Sequence, residues 1–440
     1  MSKRKPSVLV IGGGIAGIHS ALKLADLGVD VYLVEKEASL GGTAAKLGKV
    51  FPTDDCGVCV TASASQFATR TGYRRCLYRT NFTELSNLTI LTLSRIQNVL
   101  KKEGVFSVRV KQDPRYVNER DCIACNLCSE ICPVEVTDEY CLGLTKRKAI
   151  YLPFIQAIPY TYLVDSESCT RCNKCVEECP TNAINLDQQA REFTLVVDRI
   201  VVATGFKEID PSHISEYGYG LYENVITQMQ LASFLDPTGP TEGKIVTPKT
   251  GKAAKDVLMI LCVDSRNKSN WYCSRICCTY AIKHAILLKQ SGVNVTISYI
   301  DVRTMGQYEE YLEKARKEGV RFVHGRVSTV EEDPTDHRLL AQLEDVDNAK
   351  VLEIPFDLVV LTPRLAPSDG TTEIIRILGL PTEAGGFVKP LSDQFDSTRT
   401  SQKGIFVCGT AQQPKDIPES VTDAGTVAMN ILHSLMKNKA

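Results

Sequence analysis

Apolar residues in this chain gather in short runs separated by longer polar and amphipathic stretches. SVLVI at 7–11, IVV at 200–202, VLMILCV at 257–263, LVVL at 358–361 and IFV at 405–407 are continuously apolar apart from one serine, with no alternation of polar positions. Runs of this length read as strands of a parallel sheet with both faces covered. Helix-like stretches follow two of them, HSALKLADLG at 19–28 and CTYAIKHAILLKQSG at 278–292, and each leads to a further strand-like run, VDVYLVEKE at 29–37 and VNVTISYID at 293–301. Strand, helix and strand in that order, twice, predict an α/β chain with two parallel sheets. No apolar run approaches the roughly 20 residues needed to span a bilayer.

The first unit carries a phosphate loop. SVLVI runs directly into Gly12-x-Gly14-x-x-Gly17 and then a helix, while Glu35 ends the second strand. Glycines at those positions permit a tight turn, close approach to a pyrophosphate and close packing of helix on strand, and the acid can accept ribose hydroxyls. The segment EKEASLGG adds Lys36, Gly41 and Gly42, and it resembles the second glycine pair of two-dinucleotide flavoproteins. IVVATGF at 200–206, with Thr204 and Gly205, resembles the segment that returns the chain to the flavin domain in those proteins. GIFVCGTAQQPKDIPESV from 404, with Gly409 and Thr410, resembles their terminal strand and helix; Thr410 stands where many relatives have an Asp that holds the ribitol. FAD is therefore the expected cofactor. The expected fold class is α/β, a two-dinucleotide-binding, thioredoxin-reductase-like flavoprotein with an insertion.

The insertion is a ferredoxin pattern. Cys122-x-x-Cys125-x-x-Cys128-x-x-x-Cys132-Pro and Cys169-x-x-Cys172-x-x-Cys175-x-x-x-Cys179-Pro repeat at a spacing of 47 residues. Three thiolates at that spacing hold one [4Fe–4S] cube, and the fourth cysteine crosses to the other cube. One cluster then takes Cys122, Cys125, Cys128 and Cys179, the other Cys169, Cys172, Cys175 and Cys132. The expected division is 1–115, 190–240 and 395–440 for the FAD domain, 116–189 for the ferredoxin, and 241–394 for a second nucleotide-binding-like domain.

That second domain lacks a glycine loop. Its first strand, VLMILCV, runs into Cys262-Val-Asp-Ser-Arg-Asn, which argues against NAD(P)H binding, and Cys273, Cys277 and Cys278 follow. Four thiols within seventeen residues point to a third cluster with unusual ligand spacing; zinc and redox-active or structural thiols are the alternatives. Cys56 and Cys59 form a further C-x-x-C, readable as a redox dithiol, as half a metal site completed by Cys76, or as packing. Cys141 and Cys408 read as structural.

Composition narrows the partners. The chain has 440 residues, long enough for two or three domains, with 51 basic and 52 acidic residues and no basic block. Nucleic acid and membrane insertion are not expected. Seventeen cysteines, mostly in C-x-x-C arrays of a long chain, indicate metal rather than disulfides, in the cytoplasm.

GGGIAG, VEKEASLGG, FPTDDCGVC, the ferredoxin insertion, the cysteine set with YAIKH, and CGTAQQPKDIPESV resemble the flavin subunit of heterodisulfide reductases, the HdrA family, across nearly the whole chain. The resemblance implies a non-standard [4Fe–4S] cluster on Cys262, Cys273, Cys277 and Cys278, and Lys283 close to the flavin's reactive nitrogen as a catalytic residue. It implies partner subunits of a heterodisulfide-reductase-like or quinone-interacting complex, a homodimer within it, and a flavin that splits or merges electron pairs. The longest members carry a second ferredoxin module that is not found here. A rival reading is an NAD(P)H-dependent reductase with a ferredoxin insert.

Overall fold

The computed structural model describes residues 4–51 and 85–437. Within them one compact unit takes residues 4–45, 85–206 and 367–437, and the other takes 46–51 and 207–366.

The first unit is built on five parallel strands in the order Ile405–Val407, Arg199–Val202, Ser7–Ile11, Asp30–Val34, Leu88–Leu91. Val10 lies opposite Val201 on one side and Leu33 on the other. All five residues of Ser7–Ile11 are buried, as an unalternating run requires. Val8 and Val10 face a layer made by the helices Ile15–Asp26 and Ile417–Lys437, where they meet Ile18, Val427 and Ile431. Leu9 and Ile11 face an antiparallel sheet of Ser94–Lys102, Val105–Gln112 and Arg191–Val197, meeting Phe106, Val108 and Val110. Each fully buried aliphatic side chain in these layers contributes about 1.5–3 kcal/mol.

The ferredoxin-patterned segment leaves and re-enters between two paired strands, with Gln112 opposite Arg191. It contains two short helices, Leu127–Glu130 and Lys174–Glu177, and small two-stranded ribbons. Its core is small and includes Cys128 and Cys175 beside Ile150, Tyr162 and Ile184.

The second unit repeats the plan of the first. Five parallel strands run in the order Val225–Thr227, Leu358–Pro363, Asp256–Val263, Asn294–Tyr299, Arg321–His324, with a three-stranded antiparallel sheet of Val327–Glu332, Leu339–Asp345 and Lys350–Phe356. The division differs from the sequence reading at both ends of this unit. Residues 207–240 fall here rather than in the flavin domain, because Val225–Thr227 pairs with Val359–Leu361. Residues 367–394 fall in the first unit, because Ile374, Leu380 and Val388 pack with Leu9 and Val202. Among the described residues no helix is long and apolar enough to cross a membrane.

Candidate flavin and iron–sulfur sites

The glycine loops meet at the carboxyl ends of the parallel strands of the first unit, where ligands of open α/β sheets sit. Gly12 has φ +106°, and a Cβ on it would lie 2.4 Å from Ala203 O. A Cβ on Gly17 would lie 1.8 Å from Gly12 O, so the helix Ile15–Asp26 reaches the strand only as glycine. Around Gly14 nothing lies within 4 Å of that position, which leaves the loop backbone approachable. Gly41 N–H donates to Gly13 O at 2.8 Å, and a Cβ on Gly42 would stand 2.9 Å from Gly14 Cα. The two glycine pairs are thus one cradle.

Glu35 is buried beside it. Its carboxylate accepts from Gly13 N–H at 2.5 Å and from Glu37 N–H at 2.8 Å. Burial pushes its pKa up, and those two amides oppose the shift. Lys36 is exposed and pairs with Glu37 at 3.4 Å. Thr204 Oγ1 lies 2.7 Å from Thr371 Oγ1, while Thr204 O accepts from Ser368 Oγ and Gly205 O from Thr371 Oγ1. Gly409, with φ +62°, allows close contact with Ala16, where a Cβ would approach to 2.6 Å. The residues present fit a dinucleotide: an approachable loop, a buried acid and a rim of small residues.

Asp423 was not legible in the sequence. It reaches from the Ile417–Lys437 helix to accept from Gly409 N–H at 3.1 Å, and it pairs with the buried Lys415. A carboxylate therefore does stand near Thr410, although it arrives from a different element.

The ferredoxin cysteines share a local geometry across the repeat. Ala124 and Asn126 have φ +55° and +74°, and Arg171 and Asn173 have φ +54° and +59°. Left-handed residues fold each loop so that its thiols turn to one side. Cys128 feels Cys122, Cys125 and Cys175, and burial pushes it up to about 12. Cys175, pushed by burial to about 11, feels Cys169, Cys132 and Cys172. Cys132 has therefore crossed to the second group, and a cavity is lined by Cys132, Cys169, Cys172 and Cys175 with Ile150 and Leu186. Arg171 N–H and Ala183 N–H point at Cys169 Sγ and Cys179 Sγ at 3.4 and 3.3 Å, contacts that suit thiolates.

In the second unit, the strand Asp256–Val263 breaks register between Ile260 and Val263, and Cys262 takes φ +59°. Asp264 and Arg266 follow at φ +52° and +57°. The turn bends as a glycine loop would, but it carries side chains: Arg364 binds Asp264 Oδ2 at 3.3 Å and Tyr272 Oη at 2.7 Å. Cys273 repeats the geometry of Cys169, because Arg275 N–H points at Cys273 Sγ at 3.3 Å with Arg275 at φ +56°. Cys277 and Cys278 open the helix Cys277–Gln290. Cys277 donates toward Cys273 and Cys278, which raises its own pKa and lowers theirs. Burial, then Cys278, raises Cys262, while Arg266 opposes that shift. The four thiols act on one another electrostatically, although among the described residues no three His, Cys, Asp or Glu side chains surround a single-ion position.

Lys283 is buried in this second unit and donates to Lys49 O at 2.6 Å. Cys408 is fully buried, 3.8 Å from Ser20 Oγ, and burial pushes it up to about 12. Cys56, Cys59 and Cys76 lie outside the described residues.

Residues 7–111 match the FAD dependent oxidoreductase family and residues 121–184 the 4Fe-4S dicluster domain. Among solved structures, thioredoxin reductases of Lactococcus lactis and T. acidophilum each superpose with a TM-score of 0.54, at 15% and 13% identity, covering 98% and 99% of this chain and 100% of theirs. They show the fold alone: a thioredoxin-reductase-like flavoprotein, here with a ferredoxin inserted. The chain is 44% identical to an iron–sulfur HdrA protein of the CoB–CoM heterodisulfide reductase of Methanopyrus kandleri. It is 42% identical to the corresponding HdrA protein of the H2/formate:CoB–CoM heterodisulfide,ferredoxin reductase of Methanococcus maripaludis, over 95% of this chain and 62% of that protein. Over 95% of its length, then, the chain is homologous to the HdrA family of heterodisulfide reductases, and it spans 62% of the length of the Methanopyrus kandleri relative.

Proposed function

We propose that this chain is the flavin and iron–sulfur component of a cytoplasmic electron-transfer complex of the heterodisulfide reductase kind. It passes electrons among FAD, two ferredoxin [4Fe–4S] clusters and a third cluster held by Cys262, Cys273, Cys277 and Cys278. The observation that carries this reading is the shared geometry of Cys169 and Cys273, each accepting the N–H of a left-handed arginine two residues on. A segment without a ferredoxin spacing thus presents its thiol as a ferredoxin loop does.

Bound FAD supplies the exchange between two-electron and one-electron transfer. The chain's residues position it. Gly12, Gly14 and Gly17 would bring backbone N–H groups and a helix N-terminus to the pyrophosphate, and Glu35 would accept from ribose hydroxyls. Thr204, Gly205, Gly409 and Thr410 bound the flavin end, where Asp423 fixes the Gly409 amide. Arg266 and Arg303 offset the charge of the second-unit thiolates. The terminal reduction belongs to a partner protein of the complex, because no nucleophile and base pair is assembled among the residues assigned here.

Anaerobic purification with iron, sulfide and flavin counted per chain tests the reading. About twelve irons and one FAD, falling to about eight irons when Cys277 and Cys278 are both replaced by Ala, are expected. About eight irons in both proteins would leave the second-unit thiols without a cluster. Rapid bleaching of the flavin by NADPH alone would instead support a stand-alone reductase.

A further inference from the structure

In the second unit, next to the four cysteines, lies a buried polar group that electron transfer alone does not use. Three side-chain atoms are buried there without a hydrogen-bond partner among the described residues: Glu208 Oε1, Tyr280 Oη and His284 Nε2. Glu208 ends the strand Phe206–Glu208, while Tyr280 and His284 are one turn apart on the helix Cys277–Gln290, their rings 6.4 Å apart.

Glu208 and His284 are both anchored to the start of the helix Gln228–Leu235. The Thr227 side chain and Met229 N–H bond the Glu208 carboxyl, and His284 Nδ1 lies 2.6 Å from Gln228 Oε1. Gln228 Nε2 donates to Thr362 at 3.2 Å, which turns its oxygen to the imidazole. An imidazole that donates from Nδ1 presents Nε2 as a bare acceptor. Besides its burial, Tyr280 feels Glu208 and then Cys277, Cys278 and Cys262.

A buried polar atom without a partner is costly, so three neighbouring ones call for a guest that pairs them. The groups facing Glu208 are Thr227 and the Met229 amide, Tyr280, and Tyr219 with Asp210 beyond it; none is a cation. Burial without a counter-charge pushes the Glu208 carboxyl up to about 8. Burial, then the charge of Lys283, holds His284 well below its ordinary value and neutral. Around neutral pH the carboxyl carries a proton and the imidazole stays neutral; above about pH 8 the carboxyl is open to take a proton up.

We propose that Glu208 is a redox-linked proton site for the Cys262, Cys273, Cys277 and Cys278 cluster, joined to it through Tyr280 and a water that also meets His284. This role rests on the third cluster proposed above. One electron from a low-potential donor, the reduced flavin or a ferredoxin cluster, adds one negative charge to the cluster. Above about pH 8, where the Glu208 carboxyl is ionised before reduction, one proton from solvent then binds it, and both leave on reoxidation. No sulfur–hydrogen bond forms.

The test is a redox titration of the anaerobically purified holoprotein, read by electron paramagnetic resonance from about pH 6 to about pH 9.5. The signal removed by replacing Cys277 and Cys278 identifies the cluster. Above about pH 8 its potential should fall with rising pH in the wild type and in Glu208→Asp, and should flatten in Glu208→Gln, while the ferredoxin clusters stay level in all three. A level potential in the wild type, or an unchanged slope in Glu208→Gln, overturns the proposal with the cluster still established. If Glu208→Gln does not fold, the wild type decides through redox-difference infrared spectra at about pH 9, which must gain a protonated-carboxyl band on reduction; its absence overturns the proposal. An iron count showing no third cluster overturns the functional reading and this inference together.

Discussion

The ferredoxin insertion and the second unit handle thiols in opposite ways. In the insertion the cysteines are the fold: Cys128 and Cys175 sit inside its small core, with Cys122, Cys132, Cys169 and Cys179 packed against it, while Cys125 and Cys172 are exposed. In the second unit the core cluster around Leu258, Ile260 and Val359 contains none of the four cysteines, although three of the four are themselves buried. A cluster that makes its own domain can be reached from solvent. In the second unit Arg266 and Arg303 act on the Cys273 thiol, and Tyr280 feels both Glu208 and the thiols of Cys277, Cys278 and Cys262.

The largest effect should come from removing iron. Chelation of the reduced protein should unfold residues 116–189 while both five-stranded sheets persist, because metal-binding free energy is folding free energy only where the core depends on it. Hydrogen exchange of the insertion against the strands Ser7–Ile11 and Asp256–Val263 checks this, and equal loss in both would erase the contrast. Next, Cys175→Ala and Cys278→Ala should each lose about four irons. Only Cys175→Ala should also make the insertion sensitive to protease.

A smaller effect follows from Glu208. Its carboxyl is raised from 4.5 to about 8, so its contribution to stability is full below pH 4.5 and is lost as pH climbs through about 8. Glu208→Gln removes that loss, and it should gain on the wild type by a few kcal/mol between about pH 5 and about pH 8.5 in denaturant titrations. An unchanged difference across that range would mean the carboxyl ionises as freely as in water. The smallest effect sharpens the one likeness between the two regions. Arg171→Gly and Arg275→Gly should each relieve left-handed strain and raise stability by up to about 1 kcal/mol, equally, provided the glycine's extra chain entropy does not cancel it. Thermal melts that move in opposite directions would show that the two loops only look alike.

What was legible in the sequence was whatever is local. The cysteine spacings and the run from Gly12 to Glu35 specify chemistry within a few tens of residues, and Cys132 lies beside Cys169, Cys172 and Cys175. The domain boundaries were not local. Val225–Thr227 is three residues long, carries no glycine or cysteine landmark, and finds its partner at Val359–Leu361. Asp423, Glu208 and His284 were illegible for the same reason: each is an ordinary residue until a distant element brings it to Gly409, to Tyr280 or to Gln228.

The way the insertion is attached has a consequence for how such a chain could arise. Gln112 and Arg191 are direct neighbours in an antiparallel pair, and the Arg191 side chain donates to the Gln112 side chain at 2.6 Å. A turn of two to five residues would close that pair as an ordinary hairpin. To the strands of the flavin domain the whole ferredoxin is a hairpin loop grown long, one that also docks on that domain through Ile158, which sits in its core and pairs with Ser39 and Leu40, so a new occupant of the loop needs a matching face there.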